Sequence, residues 1–199
     1  YQSTFFFRTS DNRVYKVLDN NGGTAYSGSE PTSESTSTFA LGGYVLKYMY
    51  TISASEQTKY LTADFMPVST DTTVSAAATD GAIESLQITA GSGYTDGTYY
   101  AAVYGDGTSA GTSSGAIVSI VVTSGVIVSF GLTAGTDTSI HDAGSGYTYG
   151  TVNLASGYTF SDTALSSASA IGGSGGAVDV VISPKEGHGN DAVAELGGH

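Results

Sequence analysis

Aromatic and β-branched residues come in short runs that alternate with polar ones at a period of two, and turn-forming residues separate the runs. Residues 3–9 (STFFFRT) and 13–19 (RVYKVLD) read as two strands of a hairpin, with Ser10, Asp11 and Asn12 supplying the turn. Asn20, Asn21, Gly22 and Gly23 end the second strand. Residues 27–38 are rich in Ser, Thr and Glu around Pro31, show no period, and read as an exposed loop. In GYVLKYMYTI, residues 43–52, strand alternation puts Tyr44, Leu46, Tyr48 and Tyr50 on one face. Val45, Lys47, Met49 and Thr51 take the other. Ser53 and Glu56 have capping-box spacing, which predicts a short helix over 56–61, and residues 64–68 leave it extended.

Beyond residue 70 the chain is punctuated by glycine and repeats itself. GSGYTDG, residues 91–97, returns as GSGYTYG, residues 144–150, 53 positions later. Ahead of the two copies stand IESLQITAG (83–91) and VIVSFGLTAG (126–135). Behind each, after a variable stretch, come GAIVSIVV from Gly115 and GAVDVVIS from Gly176. The unit is strand, GSGYT turn, strand, variable loop, strand, in two copies joined by a tight turn at Thr123, Ser124 and Gly125. After Ile182, Ser183 and Pro184 stop further pairing and Gly187-His188-Gly189 reads as a flexible turn. Asn190 or Asp191 then caps a short helix over 192–196, closed by Gly197. The expected fold class is mainly β: a layered antiparallel β-sandwich with short helices in its loops, plus a Gly-rich β-module of two related repeats.

Composition supports a division of the chain. Five of its six basic residues (Arg8, Arg13, Lys16, Lys47 and Lys59) lie before residue 71. From there on, twelve acids face Lys185 alone. The expected domains are 1–70 with 182–199, and an inserted acidic module at 71–181. A net charge of −12 over 199 residues opposes a non-specific grip on nucleic acid, and anionic membrane surfaces are disfavoured for the same reason. No apolar run has the length of a membrane helix, and no signal peptide is visible. Cysteine is absent, which removes disulfides, thiolate metal sites and a thiol nucleophile. The chain opens on Tyr1 and closes on Gly-Gly-His, as a fragment of a longer protein would.

The candidate chemistry is thin. Asp96, Asp106, Asp137 and Asp142 near tyrosines could form the paired carboxylates of a glycosidase or a sugar-binding surface, but each sits in a turn context that favours Asp for local backbone bonding. No complete calcium loop is present, and Gly105-Asp106-Gly107 is only part of a calcium-roll repeat. His141, His188 and His199 lack metal-ligand spacing, no GxSxG elbow marks a serine nucleophile, and GSGYTDG is not a nucleotide loop. The expectation is no catalytic residue, no cofactor and no metal. Fourteen tyrosines and no tryptophan suit an interface or a half-buried sheet face equally. Tyr15, Tyr44 and Tyr48 are assigned to the sheet, while Tyr99, Tyr100, Tyr147, Tyr149 and His188 are the candidate interface residues.

Five segments taken in order carry a resemblance: 6–21 (FFRTSDNRVYKVLDNN), 30–36 (EPTSEST), 43–53 (GYVLKYMYTIS), 60–68 (YLTADFMPV) and 182–198 (ISPKEGHGNDAVAELGG). Together the chain resembles the smaller, dimeric baseplate wedge subunits of T-even-type contractile-tailed bacteriophages and their marine, cyanophage-like relatives. It departs from them at Leu46, where the family's strand has an aromatic. The resemblance implies a structural, non-enzymatic homodimer on a layered β-sandwich that docks onto neighbouring wedge subunits. Its place would be the virion tail baseplate, assembled in the host cytoplasm. The alternative reading is a carbohydrate-binding or adhesin-like β-module that grips host glycans through loop-tip Tyr and Asp.

Overall fold

A computed structural model describes residues 5–107, 115–131, 135–154, 157–161 and 164–198; within 157–169 only the path of the strands is described. Ser3 and Thr4 of the first expected strand, the variable loop at 108–114, residues 132–134 of the second repeat and His199 lie outside the described residues. The protein is mainly β, with antiparallel sheets, a half-barrel and a few short helices. Its contacts divide it into two compact units, Tyr1–Thr79 with Glu186–His199, and Asp80–Lys185.

In the first unit, β1 (Phe6–Arg8), β2 (Arg13–Asp19), β3 (Phe39–Leu41) and β4 (Tyr44–Thr51) form one antiparallel sheet in the order β1-β2-β4-β3. Asn12 closes the first hairpin at φ 65°, a conformation that Asn tolerates. The expected alternation along β4 does not hold throughout. Val14 pairs with Tyr50 and Tyr15 with Tyr48, so Met49 is an extra residue that bulges β4. The faces exchange at that point. Tyr15 and Tyr48 pack with Val74, Phe7 and Phe39, whereas Tyr50 joins Val14, Met49 and Ile52. The single tyrosine face expected over 44–50 is thus split between two clusters.

Three α-helices are described in this unit. α1 (Ala54–Tyr60) opens on the expected capping box, in which Ser53 Oγ accepts from Glu56 N–H while the Glu56 carboxylate accepts from Ser53 N–H. It buries none of its residues. α2 (Thr72–Ala77), which the sequence pattern does not announce, starts at Asp71, whose carboxylate accepts from Thr73 and Val74 N–H. α3 (Ala192–Glu195) is capped by Asp191 and sends Ala192 and Leu196 into the cluster of Val14, Met49 and Ile52. Residues at the two ends of the sequence therefore share one core.

The second unit contains β5 (Ile83–Tyr94), β6 (Gly97–Gly105), β7 (Ile117–Thr123), β8 (Val126–Ile127), β9 (Ser139–Asp142), β10 (Gly150–Val152), β11 (Gly157–Ser161), β12 (Ala164–Ser169) and β13 (Gly172–Ile182). Seven of them run in the order β12-β11-β6-β7-β8, with β10 also paired to β6 and β9 to β7. β5 and β13 form a long two-stranded ribbon. Every residue from Ile117 to Val122 is buried, as a central strand covered on both faces requires. Ser124 and Gly125, at φ 55° and 73°, make the tight turn between β7 and β8. Where the chain enters and leaves this unit, Ser183 N–H donates to Ala82 O at 2.8 Å and Ala82 N–H donates to Ser183 Oγ at 2.9 Å.

Candidate functional site

A buried set of ionisable groups lies inside the first unit, on β2, α3 and the turn before α3. Lys16 stands between Tyr15 and Val17 and is 2% exposed. Its Nζ donates to Glu195 Oε1 at 2.6 Å and lies 3.4 Å from His188 Nδ1. His188 Nδ1 meets the same carboxylate oxygen. Glu195 Oε2 accepts from Gly189 N–H at 2.7 Å. Burial pushes the Glu195 carboxyl upward, but the His188 contact, Lys16 and the Gly189 amide outweigh it and hold the group down at about 2.

The turn that delivers His188 is packed rather than flexible. Glu186, Gly187 and Gly189 all take positive φ, at 71°, 90° and 85°. A Cβ on Gly187 would come within 2.4 Å of the Thr79 backbone nitrogen, and one on Gly189 within 2.4 Å of Val74 Cγ1, so side chains are excluded there by contact as well as by φ. Ser75 Oγ donates to Asn190 O at 3.1 Å and fastens the turn to α2. His188 is fully enclosed. It offers no surface to a partner, which corrects its place among the candidate interface residues. The cluster is a desolvated pin that holds the returning C-terminal segment to β2.

In the second unit the tyrosines fall into two groups. Tyr94 and Tyr147, the tyrosines of the two GSGYT turns, are buried. The Tyr94 hydroxyl accepts from Gly176 N–H at 2.9 Å, and the Tyr147 hydroxyl accepts from Ala116 N–H at 3.1 Å. Tyr99 is buried too, its hydroxyl donating to Thr95 O at 3.0 Å. Tyr100 is half-buried and meets the His141 ring edge-on, with centroids 5.2 Å apart. Tyr149 is 61% exposed, and Tyr104, outside the candidate set, is 44% exposed. Among the candidate interface residues, Tyr147 and Tyr99 thus serve the interior: the Tyr147 hydroxyl, on a ring preceded by the left-handed Gly144 and Gly146, accepts a backbone N–H there, and the Tyr99 hydroxyl donates to a backbone carbonyl. Tyr149 remains on the surface.

The aspartates hold turns. Asp96 accepts from the N–H groups of Ser124 and Gly125 at 3.0 and 2.8 Å, and Asp142 accepts from Gly144 N–H at 2.9 Å. Asp106 accepts from the N–H groups of Thr148 and Tyr149 at 2.8 and 3.2 Å and from the Thr148 hydroxyl. Those bonds, the Thr148 hydroxyl first, hold its carboxyl at about 2. Among the described residues no three His, Cys, Asp or Glu stand close enough together to hold a metal ion. No described helix is long and apolar enough to cross a membrane.

Among the described residues each unit has an open cleft. In the first unit a pocket of about 480 Å³ is lined by Phe7, Tyr26, Pro31, Leu41, Tyr44 and Leu46, with Glu30 at its wall. In the second a cleft of about 440 Å³ lies between residues 151–154 and residues 176–179. Sequence reasoning missed both, and it missed the partners of Lys16. The one signal for the latter was a lysine set between Tyr15 and Val17 in an otherwise apolar strand. No protein-family model, no curated protein and no solved structure matches the chain.

Proposed function

We propose that this protein is a structural part of a phage tail baseplate wedge and acts through protein–protein assembly contacts, as a homodimer that meets neighbouring wedge subunits. The observation that carries the reading is the composition of the first unit. Residues 6–21, 30–36, 43–53 and 60–68, which bear the resemblance, belong with 186–198 to one compact unit although the whole second unit intervenes in sequence, and all but 30–36 contribute to one core cluster. The buried cluster of Lys16, His188 and Glu195 supports it, since those groups hold the fold rather than face a substrate. Contact surface is present as Tyr60, the last residue of the helix that buries nothing, and Phe65, 60% and 73% exposed. Co-expression with the wedge subunits of such a phage, followed by affinity purification at low and high salt, tests it. A stable complex is expected; a chain that elutes alone at both salts overturns the reading.

The same reading takes residues 83–123 and 126–182 as two copies of one module that exchange strands. Gly91 and Gly144 share φ near 60°, and Gly93 and Gly146 share φ near 75°. The first strand of the first copy, β5, pairs with the last of the second, β13, while β8 and β9 pair with β7. Each copy's turn tyrosine accepts an N–H from the other copy, Tyr94 from Gly176 within β13 and Tyr147 from Ala116 just ahead of β7. The alternative of glycan recognition rests on Tyr104 and Tyr149, both exposed in this unit. Glycan-array binding that Tyr149→Ala abolishes with the fold intact would favour it.

A further inference from the structure

The pocket of about 480 Å³ in the first unit joins a fixed aromatic corner to a carboxylate that pairs with no cation, and we infer that it receives an arginine side chain from a partner protein. The backbone builds the corner. Tyr26 donates its hydroxyl to Ser29 O at 2.9 Å, and Tyr44 donates its own to Thr24 O at 2.7 Å. The two rings meet edge-on, with centroids 6.3 Å apart. A Cβ on Gly28 would come within 2.4 Å of Tyr26 Cζ, and one on Gly42, at φ 58°, within 2.4 Å of Tyr26 Cδ2. Two glycines thus seat the Tyr26 ring, which stays 39% exposed. Both hydroxyls are spent on carbonyls, so the rings have their π surfaces left to offer. Pro31 and Leu46 are buried in the wall and Phe7 and Leu41 half-buried, an apolar lining for the methylene stem of a long side chain.

Charge decides what enters. Arg13 donates to Asp11 Oδ2 at 2.9 Å and to Glu34 Oε1 at 2.8 Å, so those two acids are answered from within the unit. Glu30, which lines the pocket, is not. Its Oε2 accepts from Ser10 N–H and Oγ–H at 2.8 and 2.6 Å, and neither bond uses Oε1. The same bonds, the hydroxyl first, hold the Glu30 carboxyl below its ordinary range and keep it charged. Arg8 acts on it through space, but the Arg8 guanidinium donates to Asn12 Oδ1 and takes no part in the pocket wall. A cation from outside therefore meets an ionised carboxylate beside an open ring face. Arginine suits the pair better than lysine: its planar guanidinium stacks on a ring, aims its N–H groups at a carboxylate and is more weakly hydrated. This inference rests on the assembly reading above and deepens it by naming a side chain that the protein grips.

The test titrates the whole chain, followed by NMR, with three end-blocked pentapeptides, Gly-Ser-X-Ser-Gly, in which X is arginine, lysine or the uncharged isostere citrulline. Expected are saturable shifts confined to residues 25–31 and 41–46 with the arginine peptide, binding of the citrulline peptide weaker by about fivefold or more, and the lysine peptide between them. Glu30→Gln should weaken the arginine peptide by about fivefold and leave the citrulline peptide as it was, with an unchanged circular dichroism spectrum. Tyr26→Leu should weaken the arginine peptide to a similar degree; should that variant not fold, Glu30→Gln decides. No saturable binding, equal binding of the arginine and citrulline peptides, a lysine peptide as tight as the arginine one, shifts centred elsewhere, or indifference to Glu30→Gln overturns the inference. The two readings fail separately. Wedge subunits captured by a chain that binds no arginine peptide sink the pocket alone, whereas peptide binding at the pocket without any wedge complex sinks the baseplate assignment alone.

Discussion

The two units solve the problem of a buried polar group in opposite ways. The first encloses Lys16, Lys47 and His188 and must pair them: Lys16 with Glu195, Lys47 with Thr36 O at 2.6 Å, and His188 with Glu195. The second encloses no charged residue among those described. Its fully buried polar residues are Ser, Thr and Tyr, Glu84 buries a single carboxylate oxygen, and its carboxylates Asp96, Asp106 and Asp142 stay on turns. A desolvated charge has no substitute for its partner, while a turn carboxylate can be replaced by water. Single changes to the paired charges of the first unit should therefore be severe, and those to the turn carboxylates of the second mild.

The largest effect is expected for Glu195→Ala. It leaves Lys16 buried without its carboxylate, a loss on the order of 3–5 kcal/mol for a broken buried pair. Hydrogen exchange should show β2 and residues 186–196 losing protection while the β5–β13 ribbon keeps it. Joint replacement by Lys16→Met and Glu195→Leu should recover much of the loss, since an apolar pair removes the desolvation cost along with the attraction. If Glu195→Ala is as mild as a surface change, the cluster does not hold the unit together.

Acid should act on the same point. Glu195 titrates at about 2 in the folded chain against an ordinary 4.5, so its contribution is complete above pH 4.5 and disappears as the pH falls toward 2. The size is roughly 2–3 kcal/mol after allowance for residual solvent. Chemical denaturation at stepped pH should show the loss in the wild-type chain and a flatter profile in Glu195→Gln. Equal slopes would assign acid sensitivity to other carboxylates.

How much of this was legible in the sequence depended on whether the cause was local. The hairpin through Asn12, the capping box at Ser53, the turn at Ser124 and Gly125, and the helix capped by Asp191 are dictated within a few residues, and the pattern reveals them. α2 and β3 are too short to establish a period. The bulge at Met49 depends on the register of a neighbouring strand, which alternation within β4 cannot report. The charge cluster joins residues 179 positions apart, so no spacing rule reaches it. Tyr147 shows the limit most clearly. The motif marks it as special, but whether its ring faces outward or into the core is decided by Ala116 and Val103, both distant in sequence.

That dependence gives a sharper comparison between neighbouring tyrosines. Tyr147→Phe keeps the ring and removes the hydroxyl that accepts from Ala116 N–H, stranding a buried amide at a cost of about 1–3 kcal/mol. Tyr149→Phe, on the surface, should change stability by less than about 0.5 kcal/mol. Urea denaturation of the two variants measures the gap. Equal effects would mean that the Tyr147 hydroxyl does not bear on the core.

The smallest effect tests the other half of the contrast. Asp96→Ala removes the acceptor for the N–H groups of Ser124 and Gly125, which close the β7–β8 turn. Asp96 is exposed, so water can occupy the vacated positions, and the ladder between β7 and β8 remains. A cost of about 0.5–1.5 kcal/mol is expected, with Asp96→Asn between Ala and wild type because one amide oxygen can replace only one of the two carboxylate oxygens that accept. Amide exchange at Ser124 and Gly125 should quicken while the interior of β7 stays protected. Should Asp96→Ala instead approach Glu195→Ala in severity, the turn carboxylates would have to be counted with the buried pairs, and the distinction between the two units would rest on position rather than on desolvation.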